Sequence, residues 1–180
     1  MPVRPMETPR RPFPGEGEKE KMATELSASA QKVQEALTAL GLPCQVVELP
    51  ASTRTAQEAA QAIGCTVAQI VKSLIFRGTR TGRALLVLAS GVNRVNEKRL
   101  GEMAGEPVGK ADADFVRRHT GFAIGGVPPL GHSTAIETYI DTDLLQYPEV
   151  WAAAGTPRAV FRLSPQDLPK MNHGSMVSIK

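Results

Sequence analysis

Two apolar runs, Lys72-Ser-Leu-Ile-Phe-Arg77 and Arg83-Ala-Leu-Leu-Val-Leu-Ala89, stand on either side of a loop from Gly78 to Gly82. Both have strand length and strand composition, and a short glycine-containing connection between such runs reads as a β-hairpin. The rest of the chain has to supply a sheet for this pair and helices to cover it.

From Ser27 onward, Ala30, Val33, Ala36, Leu37 and Leu40 fall at helical spacing, and Gly41 with Pro43 closes that segment. Gln45 to Leu49 reads as a short strand. Thr55-Ala-Gln-Glu58 is a capping box that opens a helix running to Gly64, and Thr66 caps a further turn, Val67 to Ile70. Asn93 or Asn96 caps a helix through Met103; Asp112 caps another through His119, which Gly121 stops. Gly121 to Gly126 reads as a strand entering a proline-rich turn. Further strands are expected at Thr134–Ile140, Val150–Ala153, Ala159–Leu163 and Met176–Ile179, with a short helix near Pro165. Helices fall between and after the strands without regular βαβ alternation. The expected class is therefore α/β of the α+β type, with a mixed, largely antiparallel sheet surrounded by helices.

A chain of 180 residues, 42% hydrophobic and 22% charged, supports one domain with a real core. Met1 to about Met22 is rich in Pro, Glu, Arg and Gly and lacks an apolar period. It cannot offset its ordering entropy, so a disordered tail is expected at 1–22 and the domain at 23–180. The longest apolar run, Ala84 to Ala89, is far short of the roughly 20 residues that span a bilayer. With no secretion-signal core either, the expectation is a cytoplasmic protein without a membrane partner. Cys44 and Cys65 form no CxxC pair, which argues against a disulfide framework or a zinc site. The net charge of +3 permits transient contact with phosphates without marking a dedicated nucleic-acid binder.

Lys72 shares a strand face with Leu74 and Phe76. Such a lysine either snorkels at the wet end of the strand or is held in a pocket, where its charge is poorly screened and can grip a phosphate, a ribose or an oxyanion. Ile124-Gly-Gly-Val-Pro-Pro-Leu-Gly-His132 is the second candidate. Adjacent glycines followed by prolines make either a plain tight turn or a loop whose exposed amides can form an oxyanion hole. His132 invites a general-base role, but no Ser, Cys or carboxylate stands at a diagnostic spacing from it. The histidines form neither HxxxH nor HExxH, so no metal site is expected. Thr55 is most simply an N-cap, and Arg54 beside it is a weak phosphate candidate.

Taken in order, these segments resemble the YbaK and prolyl-tRNA synthetase-associated editing domains. The resemblance rests on Val33–Leu40, Thr53-Arg-Thr-Ala-Gln-Glu-Ala-Ala60, Ile70-Val-Lys-Ser-Leu-Ile-Phe76, Val92-Asn-Arg-Val-Asn-Glu-Lys-Arg-Leu100 and Gly125-Gly-Val-Pro-Pro-Leu-Gly-His132. It covers the chain from about Ser27 to the end. The most specific parts are the lysine in its apolar strand and the Gly-x-x-Pro element at Gly126–Pro129.

The resemblance implies a twisted mixed sheet with a cleft for the aminoacylated acceptor end of a transfer RNA. It implies a trans-editing hydrolase that cleaves the ester of a mischarged aminoacyl-tRNA, with tRNA for proline carrying a small wrong amino acid as the expected substrate. Lys72 and Gly126 match the family's catalytic positions; Thr55, Gly125, Val127, Pro129 and His132 match substrate-binding ones. No metal or organic cofactor is implied, prolyl-tRNA synthetase is a partner the resemblance allows, and no oligomeric state is specified. Three positions depart from other members: Val160 where some carry an acid, His132 where they have glutamine, and Pro128 where they have serine. They imply a different branch with a different acyl pocket. The competing readings are a non-catalytic tRNA- or synthetase-binding module of the same fold, and a hydrolase of some other activated ester or amide.

Overall fold

The computed structural model describes residues 26–180, so the segment expected to be a disordered tail lies outside the described residues. Helix α1 (Ala28–Ala39) starts at Ser27, whose hydroxyl accepts the Ala30 N–H at 3.3 Å, and its inward stripe is Ala30, Val33 and Leu37. Next along the chain come β1 (Val46–Glu48), α2 (Ala56–Ile63), β2 (Ile70–Gly78), β3 (Ala84–Ser90) and α3 (Glu97–Ala104). The remainder comprises β4 (Val108–Lys110), α4 (Ala113–Thr120), β5 (Glu137–Asp141), β6 (Val150–Ala153), β7 (Ala159–Leu163), α5 (Leu168–Asn172) and β8 (Ser175–Val177). The capping box at Thr55 and Glu58 is present as read from the sequence, and Asn96, rather than Asn93, caps α3.

The strands form one eight-stranded sheet in the order β1-β7-β6-β2-β3-β5-β8, with β4 beside β2. Pairings β1–β7, β2–β3, β2–β4 and β6–β7 are antiparallel, and β2–β6, β3–β5 and β5–β8 are parallel. The sheet is mixed, with antiparallel pairs in a small majority. β3 is apolar without alternation because both its faces are covered. Leu86 and Leu88 enter the core under α1, and Leu85, Val87 and Ala89 enter the one under α3. All five are fully buried, and each such leucine contributes about 1.5–3 kcal/mol of transfer free energy.

Strand β2 is the central member of this sheet. Along one edge it pairs with β3 from Val71 opposite Ser90 to Arg77 opposite Ala84. Its other edge is divided: β6 lies beside Ile70 and Val71, and β4 beside Phe76 to Gly78. From Lys72 to Ile75 that edge has no strand.

One sequence expectation is corrected, and one strand is added. Gly121–Gly126 is not a strand: Gly121 (φ +81°) ends α4 in the left-handed region and Gly125 (φ +91°) turns the chain again. Only Phe122, 2% exposed, anchors this stretch in the core. β4 escapes the sequence reading because three residues are too few to show a period. It exists because β2 offers it an edge.

The β2–β3 hairpin is locked from outside by Glu106, which is 5% exposed. Its carboxylate accepts the N–H groups of Arg80 and Thr81 at 2.9 and 3.0 Å, the Thr81 hydroxyl at 2.6 Å and Arg83 Nε at 3.0 Å. These donors, the Thr81 hydroxyl foremost, hold its pKa down to about 2 from an ordinary 4.5. A carboxylate lowered in the folded state stabilises fully above its unfolded value and loses that contribution as pH falls through the folded one. Glu106→Gln is therefore expected to lower stability at neutral pH and to flatten its decline below about pH 4.5. Urea unfolding at neutral pH and near pH 3 checks this; parallel pH profiles for the two proteins would reject it.

Candidate active site

On the face of β2 that carries Ile70, Lys72, Leu74 and Phe76, two helices leave a gap. Ala59 and Ala60 of α2 cover Ile70, and Leu100 of α3 packs with Phe76. Between them Lys72 and Leu74 are only half-buried. The open face and the open edge of the sheet thus coincide at the same residues. Two cavities meet there. The smaller, about 310 Å³, is bounded by Thr53, Thr55, Ala59, Ile63, Trp151 and Val160. The larger, about 740 Å³, is bounded by Phe76, Arg94, Val95, Glu97, Lys110 and Val116. Lys72, Ser73, Leu74, Ile124, Gly125 and Val127 line both.

Lys72 sits at this junction, in a pocket and not at a wet strand end. Its Nζ donates to the Asn93 carbonyl at 2.6 Å. Burial pushes the ammonium below its ordinary pKa; the Asp141 carboxylate opposes that fall and Arg94 adds to it. Ser73 contributes a buried hydroxyl with no hydrogen-bond partner among the described residues. Strand alternation adds its main chain. Gly78 donates to Arg83 across the hairpin, so even-numbered residues of β2 face β3 and odd-numbered ones face the open edge. The N–H and C=O groups of Ser73 and Ile75 therefore point into the gap.

The two glycines of the loop do different work. Gly125 lines both cavities and has φ +91°, where a side chain would be strained. Gly126 lines neither. Its N–H donates to Ala123 O at 3.1 Å, and its carbonyl accepts the Gly155 N–H at 2.8 Å. A Cβ there would lie 2.7 Å from Thr156 Cα and 2.8 Å from Gly155 C and O. The position is glycine so that the loop can lie against the β6–β7 turn, and its amide is not free for a substrate. Val127 is 5% exposed and lines both cavities. The N–H groups of Ile124, Gly125 and Val127 have no acceptor among the described residues, and all three residues line both cavities.

Two other sequence candidates lie outside the cleft. Pro129 is buried, and its carbonyl accepts Asn172 Nδ2 at 3.0 Å. His132 Nε2 is 2.6 Å from the Pro128 carbonyl; a carbonyl only accepts, so this nitrogen carries the proton. Burial lowers the His132 pKa, the Pro128 bond opposes that, and the ring clips the loop as a neutral donor. Thr55 does line the smaller cavity, while its hydroxyl accepts the Glu58 N–H at 3.1 Å to cap α2.

Sequence reasoning did not single out Trp151, Arg94 or Lys110. Their strands and loops meet Lys72 only through tertiary pairing, so no local spacing marks them. Together with Lys72 and Arg54 they reveal how the charge is placed. The described lining carries four cations, Arg54, Lys72, Arg94 and Lys110, against one carboxylate, Glu97, and neither histidine nor cysteine. The chain as a whole is mildly basic, but the cleft is strongly so, which suits a polyanion. Among the described residues no three His, Cys, Asp or Glu side chains converge as a metal site, and no helix is long and apolar enough to cross a membrane.

The model of the aminoacyl-tRNA editing domain matches residues 50–171, a span that contains both cavities' shared wall. The chain belongs to the aminoacyl-tRNA editing domain family. A solved structure described as a candidate trans-editing enzyme for prolyl-tRNA synthetase is 53% identical to it, with TM-score 0.82 over 87% of this chain and 99% of that one. Bacillus subtilis (strain 168) YwhH, of uncharacterised function, is 31% identical over 127 residues, 71% of this chain and 80% of its own. A protein from Enterococcus faecalis (strain ATCC 700802 / V583) described as a candidate Cys-tRNA(Pro)/Cys-tRNA(Cys) deacylase, EbsC, is 25% identical over 126 residues, 69% of this chain and 76% of its own. This editing domain is thus an aminoacyl-tRNA deacylase of the mixed α/β fold seen in its relatives.

In the editing domain, Gly126→Ala is expected to overpack the contact with Gly155 and Thr156, at a cost of about 1–3 kcal/mol. Thermal unfolding reads this as a lowered Tm. An unchanged Tm would mean that the loop does not pack as closely as the Gly126–Gly155 hydrogen bond indicates.

Proposed function

We propose that this editing domain acts in trans on tRNA for proline charged with a small wrong amino acid, with Lys72 and the Gly125–Val127 amides as its working groups. One observation carries the reading: the only lysine on the open stretch of β2 and a loop whose Gly125 and Val127 amides have no acceptor among the described residues line the same junction between a small cavity and a larger cationic one. The small cavity takes the amino-acid side chain. Thr53, Thr55, Ala56 and Ala59 give it a polar rim and small-residue walls. The larger cavity, with Lys72, Arg94 and Lys110, takes the terminal nucleotide, whose phosphate and ribose need cations and donors.

The ester then lies at the junction. Its carbonyl oxygen faces the N–H groups of Gly125 and Val127, which stabilise the negative charge that develops there. Lys72 holds the nucleotide side by charge, and water attacks the carbonyl carbon. The bond to the ribose oxygen breaks, and that oxygen leaves with a proton as the free tRNA. No side-chain nucleophile is required. The described lining offers no histidine or cysteine, and an aminoacyl ester is already activated, so positioning and charge stabilisation supply the rate. Similarity to relatives described as prolyl-tRNA trans-editing and Cys-tRNA deacylase candidates supports the choice of tRNA and of a small acyl group.

The test is a deacylation panel: the purified protein against tRNA for proline charged with alanine, cysteine, serine, threonine or proline. Release from one mischarged species and not from Pro-tRNA is the expected result. Lys72→Ala should lose on the order of 10²-fold in rate while keeping its fold, since the change removes a charge and leaves no core cavity. Full activity in a folded Lys72→Ala protein removes that residue from the site, and binding of charged tRNA without any release would leave a binding module.

A further inference from the structure

We propose that Asn93 and Asp141 are positioning residues for Lys72, a relay that fixes where its ammonium sits in the cleft. The importance of that ammonium to deacylation rests on the proposed editing function; the relay itself rests on geometry. Asn93 works in two directions. Its carbonyl oxygen accepts Lys72 Nζ at 2.6 Å, while its side-chain Nδ2 donates to Asp141 Oδ2 at 2.8 Å and to Asp143 Oδ2 at 2.7 Å. The residue stands in the loop between β3 and α3, beside Val92, which is 64% exposed. A carbonyl on such a loop is only as fixed as the anchor behind it.

The anchor is set into the sheet. Asp141 ends β5, which runs parallel to β3, and it is 1% exposed. Its Oδ2 also accepts the Ser90 N–H at 3.0 Å from the end of β3, and its Oδ1 accepts the Asp143 N–H at 3.0 Å. Asp143 is in turn held by Lys180 Nζ at 2.7 Å. A buried carboxylate is expensive unless donors and a cation compensate it, and here both oxygens of Asp141 are engaged. The result is a continuous path of hydrogen bonds, Lys72 to Asn93 to Asp141 and Asp143, with one cation at each end. Lysine has a flexible stem, so its ammonium is placed by its acceptor. A misplacement of about 1 Å at a reacting centre can cost on the order of 10²-fold in rate.

The charged groups around Lys72 are Asp141 and Arg94, with Asp143 behind Asn93 and Glu97 and Lys110 on the walls of the larger cavity. Asp141 favours the protonated ammonium and Arg94 disfavours it. Asp141→Asn therefore moves the Lys72 titration to lower pH, and Asn93→Ala, which keeps every charge, frees the ammonium and the loop.

The experiment uses the full chain with ¹³Cε-labelled lysine, the Lys72 signal being identified by its absence in Lys72→Arg. In the unaltered protein the Asn93 side-chain amide signal should move with the Lys72 titration. In Asp141→Asn the Lys72 midpoint should fall, and in Asn93→Ala the Lys72 signal should narrow toward that of a mobile lysine. Deacylation by Asn93→Ala should lose on the order of 10²-fold in kcat with KM little changed, the mark of lost positioning. Independence of the Asn93 amide from the Lys72 titration would overturn the relay with no variant needed. So would a folded Asn93→Ala protein with unchanged kcat and an unchanged Lys72 signal. Should Lys72→Ala keep full activity, the functional reading fails while the NMR measurement still decides the relay.

Discussion

Strand β2 has more neighbours than edges. It gives one edge wholly to β3 and divides the other between the end of β6 and the short β4, leaving Lys72 to Ile75 without a partner in the middle of the sheet. Unpaired main-chain groups inside a protein are costly unless water or a ligand meets them. A sheet that leaves such a gap at its centre, and leaves the helix layer open above it, has made room for something. The loop through Gly125 and Val127, the cations Arg94 and Lys110, and the small-residue face of α2 are all arranged around that one interruption.

The same arrangement is the basis for proposing a mechanism without a triad. In the proposed mechanism a half-buried lysine, the loop amides and a cationic wall act through charge and position. The histidine that the sequence offered as a base is spent elsewhere: it ties its own loop together through the Pro128 carbonyl.

Local features were the legible ones. The hairpin, the Thr55–Glu58 capping box, the Asp112 cap and the glycine helix stops depend on residues within a few positions of one another, and each stands where the sequence put it. Lys72 was legible as a residue that had to be either at an end or in a pocket, and only tertiary structure chose. The glycine pair shows the limit most clearly. Composition announced an accessible backbone, yet of Gly125 and Gly126 one faces the cavities and the other faces Gly155, a distinction made by a contact about thirty positions away. No local spacing marks the roles of Asn93, Asp141 and Trp151 at the site, because Lys72 reaches them from a separate strand.

The frame of the smaller cavity is tied together by main chain. Thr53 donates its N–H and its hydroxyl to the Pro157 carbonyl, at 2.6 and 2.8 Å, and Gly155 donates to Gly126. Three distant segments are thereby joined, in all but the Thr53 hydroxyl, by groups that nearly every amino acid possesses. The side chains that face inward, Ala56, Ala59, Trp151 and Val160, are guests on that frame and not its beams. A lineage can exchange them one at a time, widening or narrowing the chamber, without dismantling the walls. Substrate preference in such a scaffold can drift faster than architecture.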